Sequence, residues 1–277
     1  TLSCGIFSDD VKQALPAAAA VEVFHNFTLL HDDIMDNAAV RRGKPSVYAK
    51  WGPSVAILSG DAMMICAYRL LSEVPAELLP RILGTFNTMA LEVCEGQQYD
   101  MDFESKRKVS VVEYMHMIEL KTSVLLAGSV VIGAMLGGAS DEDCRRLRRF
   151  AVELGLAFQL QDDYLDVYGD VAEFGKNIGG DIVANKKTYM LIKALELADP
   201  ETKEELWGWI ERKEFDHEEK IKAVTRIYDR LGIKEIVFAA IDKYLKMSRD
   251  ILDKIDVPKE RKIDFYETLD AIGNRKK

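Results

Sequence analysis

The stretch VEVFHNFTLLHDDIMD, residues 21–36, decides the class of fold. Val21, Phe24 and Thr28 recur at steps of three and four residues, which is the spacing of one face of an α-helix. Asn37 follows the run and marks its exit. The pattern therefore predicts one helix through this stretch, with an acidic cluster at its carboxyl end.

The rest of the chain continues the same pattern. It has only 7 prolines and 18 glycines among 277 residues, and the segments between them are rich in good helix formers, with strand signals nearly absent. Further helices are predicted at about 53–72, 76–95, 111–136, 141–168, 187–197, 201–212, 216–231, 233–255 and 264–272. We expect an all-α, single-domain bundle of about ten helices over 1–277, because no linker or repeat divides the chain.

Two segments are candidates for other roles. Residues 123–140 carry no charge, but their glycines and serines favour a buried central helix over a membrane span. Residues 199–222 are strongly charged, and their helical pattern is interrupted. This predicts an exposed helical hairpin with a solvated face.

The overall charge limits the classes of partner. A net charge of −9 and a pI near 5.1 argue against a general nucleic-acid binder, so an anionic ligand needs a local basic pocket or bound cations. The four cysteines are far apart, with no zinc-binding spacing, and are expected as thiols in a reducing cytoplasm.

The first acidic cluster is typical of a magnesium site. Asp32 and Asp36 are four residues apart, so a helix places them on one face about 6 Å from each other, with Asp33 beside them. Magnesium takes one or two carboxylates together with substrate phosphate oxygens. A solvated acidic turn is the alternative. However, these carboxylates lie at the carboxyl end of the helix, where the helix dipole disfavours negative charge.

The second cluster repeats this spacing 130 positions later. Asp162, Asp163 and Asp166 follow another apolar helical run, residues 154–161. Two such helices facing each other would hold a diphosphate through bridging metal ions.

Basic residues near the two clusters could complete such a site. Lysine and arginine both suit diphosphate groups, although each could instead form a surface ion pair. These residues are Arg41, Arg42, Lys44, Lys121, Lys176, Lys186 and Lys187.

Three stretches together carry a family pattern: HDDIMDNAAVRRGKPS at 31–46, LKTSVLLAGS at 120–129 and FQLQDDYLDVYGDVAEFGKNIGGDIVANKKTYM at 158–190. The chain closely resembles the trans-prenyltransferases, or isoprenyl diphosphate synthases. The resemblance implies an all-α fold around a deep central cavity, usually in a homodimer. It also implies that an allylic diphosphate is elongated by isopentenyl diphosphate with release of pyrophosphate.

The resemblance also implies roles for single residues. Three magnesium ions are expected, with Asp32 and Asp36 as ligands of two and Asp162 as ligand of the third. Asp33, Asp163, Asp166 and Asp181 are expected to hold water or support the ligands. The residues expected at the allylic diphosphate are Arg41, Lys121, Lys176 and Lys186. Lys121, Thr122 and Gln159 are expected where positive charge develops during catalysis, and His25 and Arg42 at isopentenyl diphosphate.

Product length is expected to depend on residues 27 and 28. They lie five and four positions before Asp32, so one helical turn separates them from the metals. By the resemblance, Phe27 with the small Thr28 favours geranylgeranyl diphosphate over farnesyl diphosphate. The alternative is that Phe27 is ordinary core.

Two other functions share parts of the pattern. A terpene cyclase has the first acidic motif, but its second has the form N/D-x-x-S/T-x-x-x-E, whereas this chain repeats DDxxD. A non-catalytic subunit of a heteromeric synthase tends to lose an acidic cluster, and both are intact here. The family's Gly-Lys-x-x-Arg motif is absent before Thr1, so the chain is expected to lack its N-terminal helices.

Overall fold

The computed structural model describes residues 1–169 and 178–274, most of which lie in α-helices. In chain order these are α1 (Leu2–Phe7), α2 (Leu15–Met35), α3 (Val47–Trp51), α4 (Pro53–Leu71), α5 (Leu79–Ser105), α6 (Val111–Ile118), α7 (Val124–Leu136), α8 (Asp141–Tyr168), α9 (Gly180–Val183), α10 (Tyr189–Leu197), α11 (Pro200–Glu211), α12 (His217–Arg230), α13 (Ile233–Asp253) and α14 (Ile263–Asn274). The predicted all-α class is confirmed.

Short irregular elements connect these helices. Two-residue strands, β1 (Val40–Arg41) and β2 (Lys44–Pro45), pair antiparallel as a small hairpin after α2. The other short elements are 3₁₀ turns at Lys12–Ala14 and Lys259–Lys262 and a π-helical segment at Glu119–Ser123. The π segment divides the predicted helix 111–136 into α6 and α7.

Other helix boundaries differ from the predicted ones. α2 begins six residues before the predicted start, at Leu15, because Pro16 fits a first helical turn and four alanines follow it. α5 continues past residue 95 to Ser105, where polar and acidic residues carry the helix towards solvent. Sequence periodicity identified the elements better than their ends.

α7 is the centre of the bundle. It packs against α1, α5 and α8, while α8 also packs along α13 and α2 packs along α4. Its small residues permit these close approaches, since a Cβ on Gly128 would lie 2.5 Å from Met89 Sδ and one on Gly137 2.6 Å from the Cys4 carbonyl oxygen. The predicted burial of this helix is confirmed.

Within the described residues, two helical stretches are long and apolar enough to cross a membrane. Val111–Leu136 is mostly buried in the bundle, whereas Pro53–Leu71 is mostly accessible. Val55, Leu58 and Ile65 on α4 are exposed at 45%, 69% and 62%. This helix therefore presents an apolar face to its surroundings.

Candidate active site

The first acidic cluster occupies the carboxyl end of α2, where it meets the β1–β2 hairpin. Arg41 Nε and Nη2 donate to Asp33 Oδ1 at 2.8 and 2.6 Å, and Nη2 also donates to Asp32 Oδ2 at 3.1 Å. The hairpin turn places Arg42 in the left-handed region, with φ of 52°. The guanidinium of Arg41 thus offsets negative charge that the helix dipole disfavours.

The second cluster lies near the carboxyl end of α8, with its middle carboxylate almost fully buried. Asp163 accepts hydrogen bonds from the Tyr114 hydroxyl and from Gln159 Nε2, the latter at 3.0 Å. Burial raises the pKa of Asp163 to about 8, with a further contribution from the charge of Asp181. Asp162, half-buried, adds its own negative charge to that effect.

Asp166 connects this cluster to the turn that precedes α9. Its Oδ2 accepts from the backbone N–H of Asp181 at 2.9 Å, and its backbone carbonyl accepts from the N–H of Gly179 at 2.5 Å. Gly179 has a φ of 84°, which its lack of a side chain permits. Asp166 therefore holds the turn before α9 against the end of α8.

Two lysines from other parts of the fold approach the first cluster. Lys121 Nζ lies 2.6 Å from Asp100 Oδ2 and 3.2 Å from Asp32 Oδ1. Lys186 Nζ, which follows the second cluster in the chain, lies 3.8 Å from Asp36 Oδ2 in the first. Lys186 also lines one cavity with Asp163 of the second cluster, so the two acidic helices border one space.

The pKa values of two of these groups report crowding of charge. Burial works against the charge of Lys186, but Asp181, Asp100 and Asp36 outweigh it, so the pKa of Lys186 is raised. Burial also raises the pKa of Asp36, and neighbouring Asp32 raises it further. The carboxylates thus exceed what the lysines neutralise, and added cations would be favoured here.

The π segment carries two predicted catalytic residues, Lys121 and Thr122. The Thr122 hydroxyl donates to Gln159 Oε1 at 2.9 Å, so a chain of hydrogen bonds runs from α6–α7 to the second cluster. Glycines on both sides make room for this segment. A Cβ on Gly96 of α5 would lie 2.3 Å from Lys121 N, and one on Gly155 of α8 would lie 2.6 Å from a serine hydroxyl of the segment.

Two adjoining cavities, of about 110 and 630 Å³, open between these elements. Predicted residues lining the smaller one are Lys121, Thr122, Gln159, Asp163, Asp181, Lys186 and Lys187. Predicted residues lining the larger one are Asp36, Asp181, Lys186 and Lys187. Asp100 lines both, and Tyr114 lines the smaller. Sequence reasoning missed Asp100 and Tyr114, since each is a single residue of an ordinary helix with no motif spacing to mark it.

His25 and Arg42 lie near each other but outside those two cavities. Burial lowers the pKa of His25, and the charges of Arg42 and Arg41 lower it further against the opposing effect of Glu22. Its buried Nδ1 has no hydrogen-bond partner among the described residues. A neutral imidazole beside two guanidinium groups can serve an anionic ligand as a hydrogen-bonding group.

The two predicted chain-length residues also lie outside these cavities. Phe27 is 9% exposed and packs against Phe24 and His31, with ring centroids 5.5 and 4.7 Å apart. The Thr28 hydroxyl donates to the His25 carbonyl at 2.8 Å. Another predicted residue, Lys176, falls in 170–177, outside the described residues.

These features define a helical bundle that presents two facing acidic clusters and several basic groups to one space. A family model described as polyprenyl synthetase matches residues 1–228. The geranylgeranyl diphosphate synthase of Methanosarcina mazei is 44% identical over 198 residues, which are 70% of this chain and 61% of that protein.

Solved structures agree with this match. A geranylgeranyl pyrophosphate synthase crystal structure has a TM-score of 0.95 at 40% identity and covers 100% of this chain and 85% of that chain. The Corynebacterium glutamicum geranylgeranyl pyrophosphate synthase, complexed with isoprenyl diphosphate and magnesium, has a TM-score of 0.90 at 28% identity, with 99% and 85% covered. The chain belongs to the polyprenyl synthetase family, which confirms the resemblance.

The residues fit magnesium only in combination with a phosphate ligand. No three histidine, cysteine, aspartate or glutamate side chains in 1–169 and 178–274 come together as a closed metal site. The clusters instead offer carboxylate oxygens from two helices, with raised pKa values at Asp36 and Asp163. Magnesium suits this arrangement because it accepts substrate oxygens and water for the rest of its coordination.

Proposed function

We propose that this chain is a magnesium-dependent trans-prenyltransferase that condenses isopentenyl diphosphate with an allylic diphosphate. The carbon–oxygen bond of the allylic diphosphate breaks and pyrophosphate leaves. A carbon–carbon bond then forms to isopentenyl diphosphate, which loses a proton to the departing diphosphate. Geranylgeranyl diphosphate is the favoured product.

One observation carries the proposal: Lys186 lines a cavity together with Asp163 of the second acidic cluster and also approaches the first cluster. It follows the second cluster in the chain, yet its ammonium lies 3.8 Å from Asp36 of the first. A diphosphate placed between the clusters would therefore meet a cation and carboxylates from both sides. Few ligands other than a metal-bound polyphosphate suit such alternating charge.

The leaving diphosphate is the proposed partner of the basic side chains. Three magnesium ions, held by Asp32 and Asp36 on one side and Asp162 on the other, would supply charge neutralisation when bound. Arg41, Lys121 and Lys186 add positive charge on the same space, and we assign the same role to Lys176. Their charges stabilise the negative charge that develops on oxygen as the bond breaks.

The π segment and α8 are proposed to face the allylic carbon. Thr122 and Gln159 are joined by a 2.9 Å hydrogen bond and line the smaller cavity, with Lys121 beside them. Oxygen atoms held there would stabilise positive charge on the allylic group. Asp33, Asp163, Asp166 and Asp181 would orient these groups or hold water bound to the metals.

His25 and Arg42 are proposed to hold the diphosphate of isopentenyl diphosphate. The lowered pKa of His25 leaves a neutral ring whose buried nitrogen can donate or accept a hydrogen bond. The exposed Arg42 can bind phosphate oxygens with two parallel hydrogen bonds.

Product length is proposed to be limited by Phe27 and Thr28, one turn before the acidic cluster. The M. mazei relative makes the same product by name. Farnesyl diphosphate is the second candidate product, since residue size alone separates the two. A terpene cyclase or a non-catalytic subunit is less compatible with two intact clusters.

We further propose a cytoplasmic, single-domain protein that acts as a homodimer. The exposed apolar side chains of α4 would be covered by a second copy rather than by lipid. The four cysteines are free thiols, as suits a reducing compartment, and the acidic charge disfavours nucleic acid.

The test is incubation of the full-length protein with magnesium, labelled isopentenyl diphosphate and each allylic primer in turn. We expect a labelled prenyl diphosphate that releases geranylgeraniol after phosphatase treatment. Farnesol alone would select the second product. A cyclic hydrocarbon would identify a cyclase, and no product with any primer would favour the subunit.

A further inference from the structure

Lys220, in the first turns of α12, is a buried cation outside the proposed substrate site. It is only 1% exposed, although the charged stretch around it predicted a solvated hairpin. Its Nζ donates to Asn185 Oδ1 at 2.7 Å and to the Val183 carbonyl at 3.3 Å. The ammonium also lies 4.2 Å from the centroid of the Phe215 ring. Burying an ammonium is costly, so its donors must be well satisfied for it to remain there.

Asn185 receives this bond in an unusual backbone conformation. Its φ of 55° lies in the left-handed region, which asparagine adopts more readily than most residues. Its Nδ2 donates to the Ile210 carbonyl at 3.1 Å, at the end of α11. One side chain therefore ties the turn after α9 to α11 and, through Lys220, to α12.

The same turn carries site residues on its other side. Asp181 and Lys186 flank Val183 and Asn185 in the chain and line both active-site cavities. A closed turn links them, since the Lys186 N–H donates to the Asp181 carbonyl at 2.9 Å. Movement of Asn185 would therefore move the Lys186 ammonium relative to Asp36.

We propose that Lys220 and Asn185 form a buried latch that positions Lys186 for the diphosphate of the allylic substrate. Both are positioning residues. Lys220 lines neither active-site cavity, and Asn185 lines the larger one but makes its side-chain hydrogen bonds to Ile210 and Lys220 and not to the acidic clusters. The latch acts on substrate only through Lys186, so this inference rests on the proposed function.

The principal test compares Lys220→Met with the wild-type protein. Methionine keeps most of the length of the lysine side chain but removes the ammonium group. The hydrogen bonds to Asn185 Oδ1 and the Val183 carbonyl are therefore lost. The KM for the allylic diphosphate and the dissociation constant of magnesium pyrophosphate, measured by calorimetry, should both rise about tenfold. The KM for isopentenyl diphosphate should change less than about twofold, because its proposed site lies elsewhere. Asn185→Gly, which keeps the left-handed backbone, should give the same selective pattern.

Lys262 provides a matched control. It is also a buried lysine, 5% exposed, and its Nζ donates to the Leu252 and Ile255 carbonyls at 3.1 and 3.0 Å, away from the clusters. Lys262→Met should lower the melting temperature without a selective change in either substrate's KM. Equal effects of Lys220→Met and Lys262→Met on the two substrates would overturn the latch.

A double variant separates the latch from the proposed function. In a Lys186→Met background, adding Lys220→Met should raise the dissociation constant of magnesium pyrophosphate by less than about twofold, because the residue through which the latch acts is gone. Full additivity of the two changes would contradict the latch while leaving the role of Lys186 intact. A wild-type protein that binds no magnesium pyrophosphate would instead refute the proposed function itself.

Discussion

At the residue scale, the carboxylate of Asp163 is almost completely shielded from solvent. It is 5% exposed and receives hydrogen bonds from Tyr114 and Gln159. Burial raises its pKa to about 8, so without added cations it is mostly protonated at neutral pH. Because cations favour the ionised form, binding of metal near Asp162 should release a proton from Asp163.

Asp162→Asn tests the second acidic cluster. Asparagine keeps the shape of the side chain but removes the charge that the proposed metal ligand needs. Turnover should fall about a hundredfold or more, with an unchanged circular dichroism spectrum. Asp250→Asn, an exposed change on α13, is the control and should leave turnover unaltered. Near-normal turnover of the Asp162 variant would refute the metal assignment.

Phe27→Ala tests the proposed limit on product length. Removing the ring should lengthen the product, and it should also cost about 3–5 kcal/mol of stability because the ring is buried. Chromatography of dephosphorylated products measures the length. Phe265→Ala, which removes a ring packed on Phe150 in another core cluster, controls for lost stability alone. An unchanged product length in the Phe27 variant would show that Phe27 is an ordinary core residue that does not limit product length.

At the scale of elements, the π segment is held between α5 and α8 by glycines. No Cβ fits at Gly96, because it would lie 2.3 to 2.7 Å from backbone atoms of Leu120 and Lys121. Backbone atoms cannot yield as a flexible side chain can. Glycine is therefore required at position 96 by the close packing of the π segment. Formation of the α5 helix itself does not require it.

Gly96→Ala should displace the π segment and separate Lys121 from Asp100 and Asp32. We expect a loss of about 1–3 kcal/mol in the free energy of unfolding, measured by urea titration, together with a large fall in turnover. Gly84→Ala on the same helix is the matched control, since nothing lies within 4 Å of its Cβ position. That change should stabilise the protein by about 0.5–1 kcal/mol. Equal behaviour of the two variants would contradict this account of the π segment.

At the scale of the whole molecule, α4 should form the contact between two copies. Leu58 is 69% exposed on its apolar face, and a charge placed there would be buried in a dimer. Leu58→Asp should shift the sedimentation coefficient from dimer to monomer. Val112→Asp, at a site 78% exposed on α6, should leave it unchanged. A wild-type protein that sediments as a monomer would refute the homodimer.

Much of the fold could be predicted because helical periodicity is local. Residues 21–35 show their helix through side chains three and four positions apart, and the uncharged stretch 123–140 shows a buried one. The end of α5 and the break at 119–123 could not be predicted. They depend on packing, such as the absence of a side chain at Gly96 where another backbone passes.

The sequence by itself determined the all-α class, the family and the two acidic clusters, because each is a pattern of nearby residues with a fixed chemical meaning. Only the tertiary structure decided that Asp100 pairs with Lys121, that Tyr114 binds Asp163 and that Lys220 is buried against Asn185. These partners are separated by 21, 49 and 35 positions. No local spacing links such residues, since their contact depends on how whole helices pack.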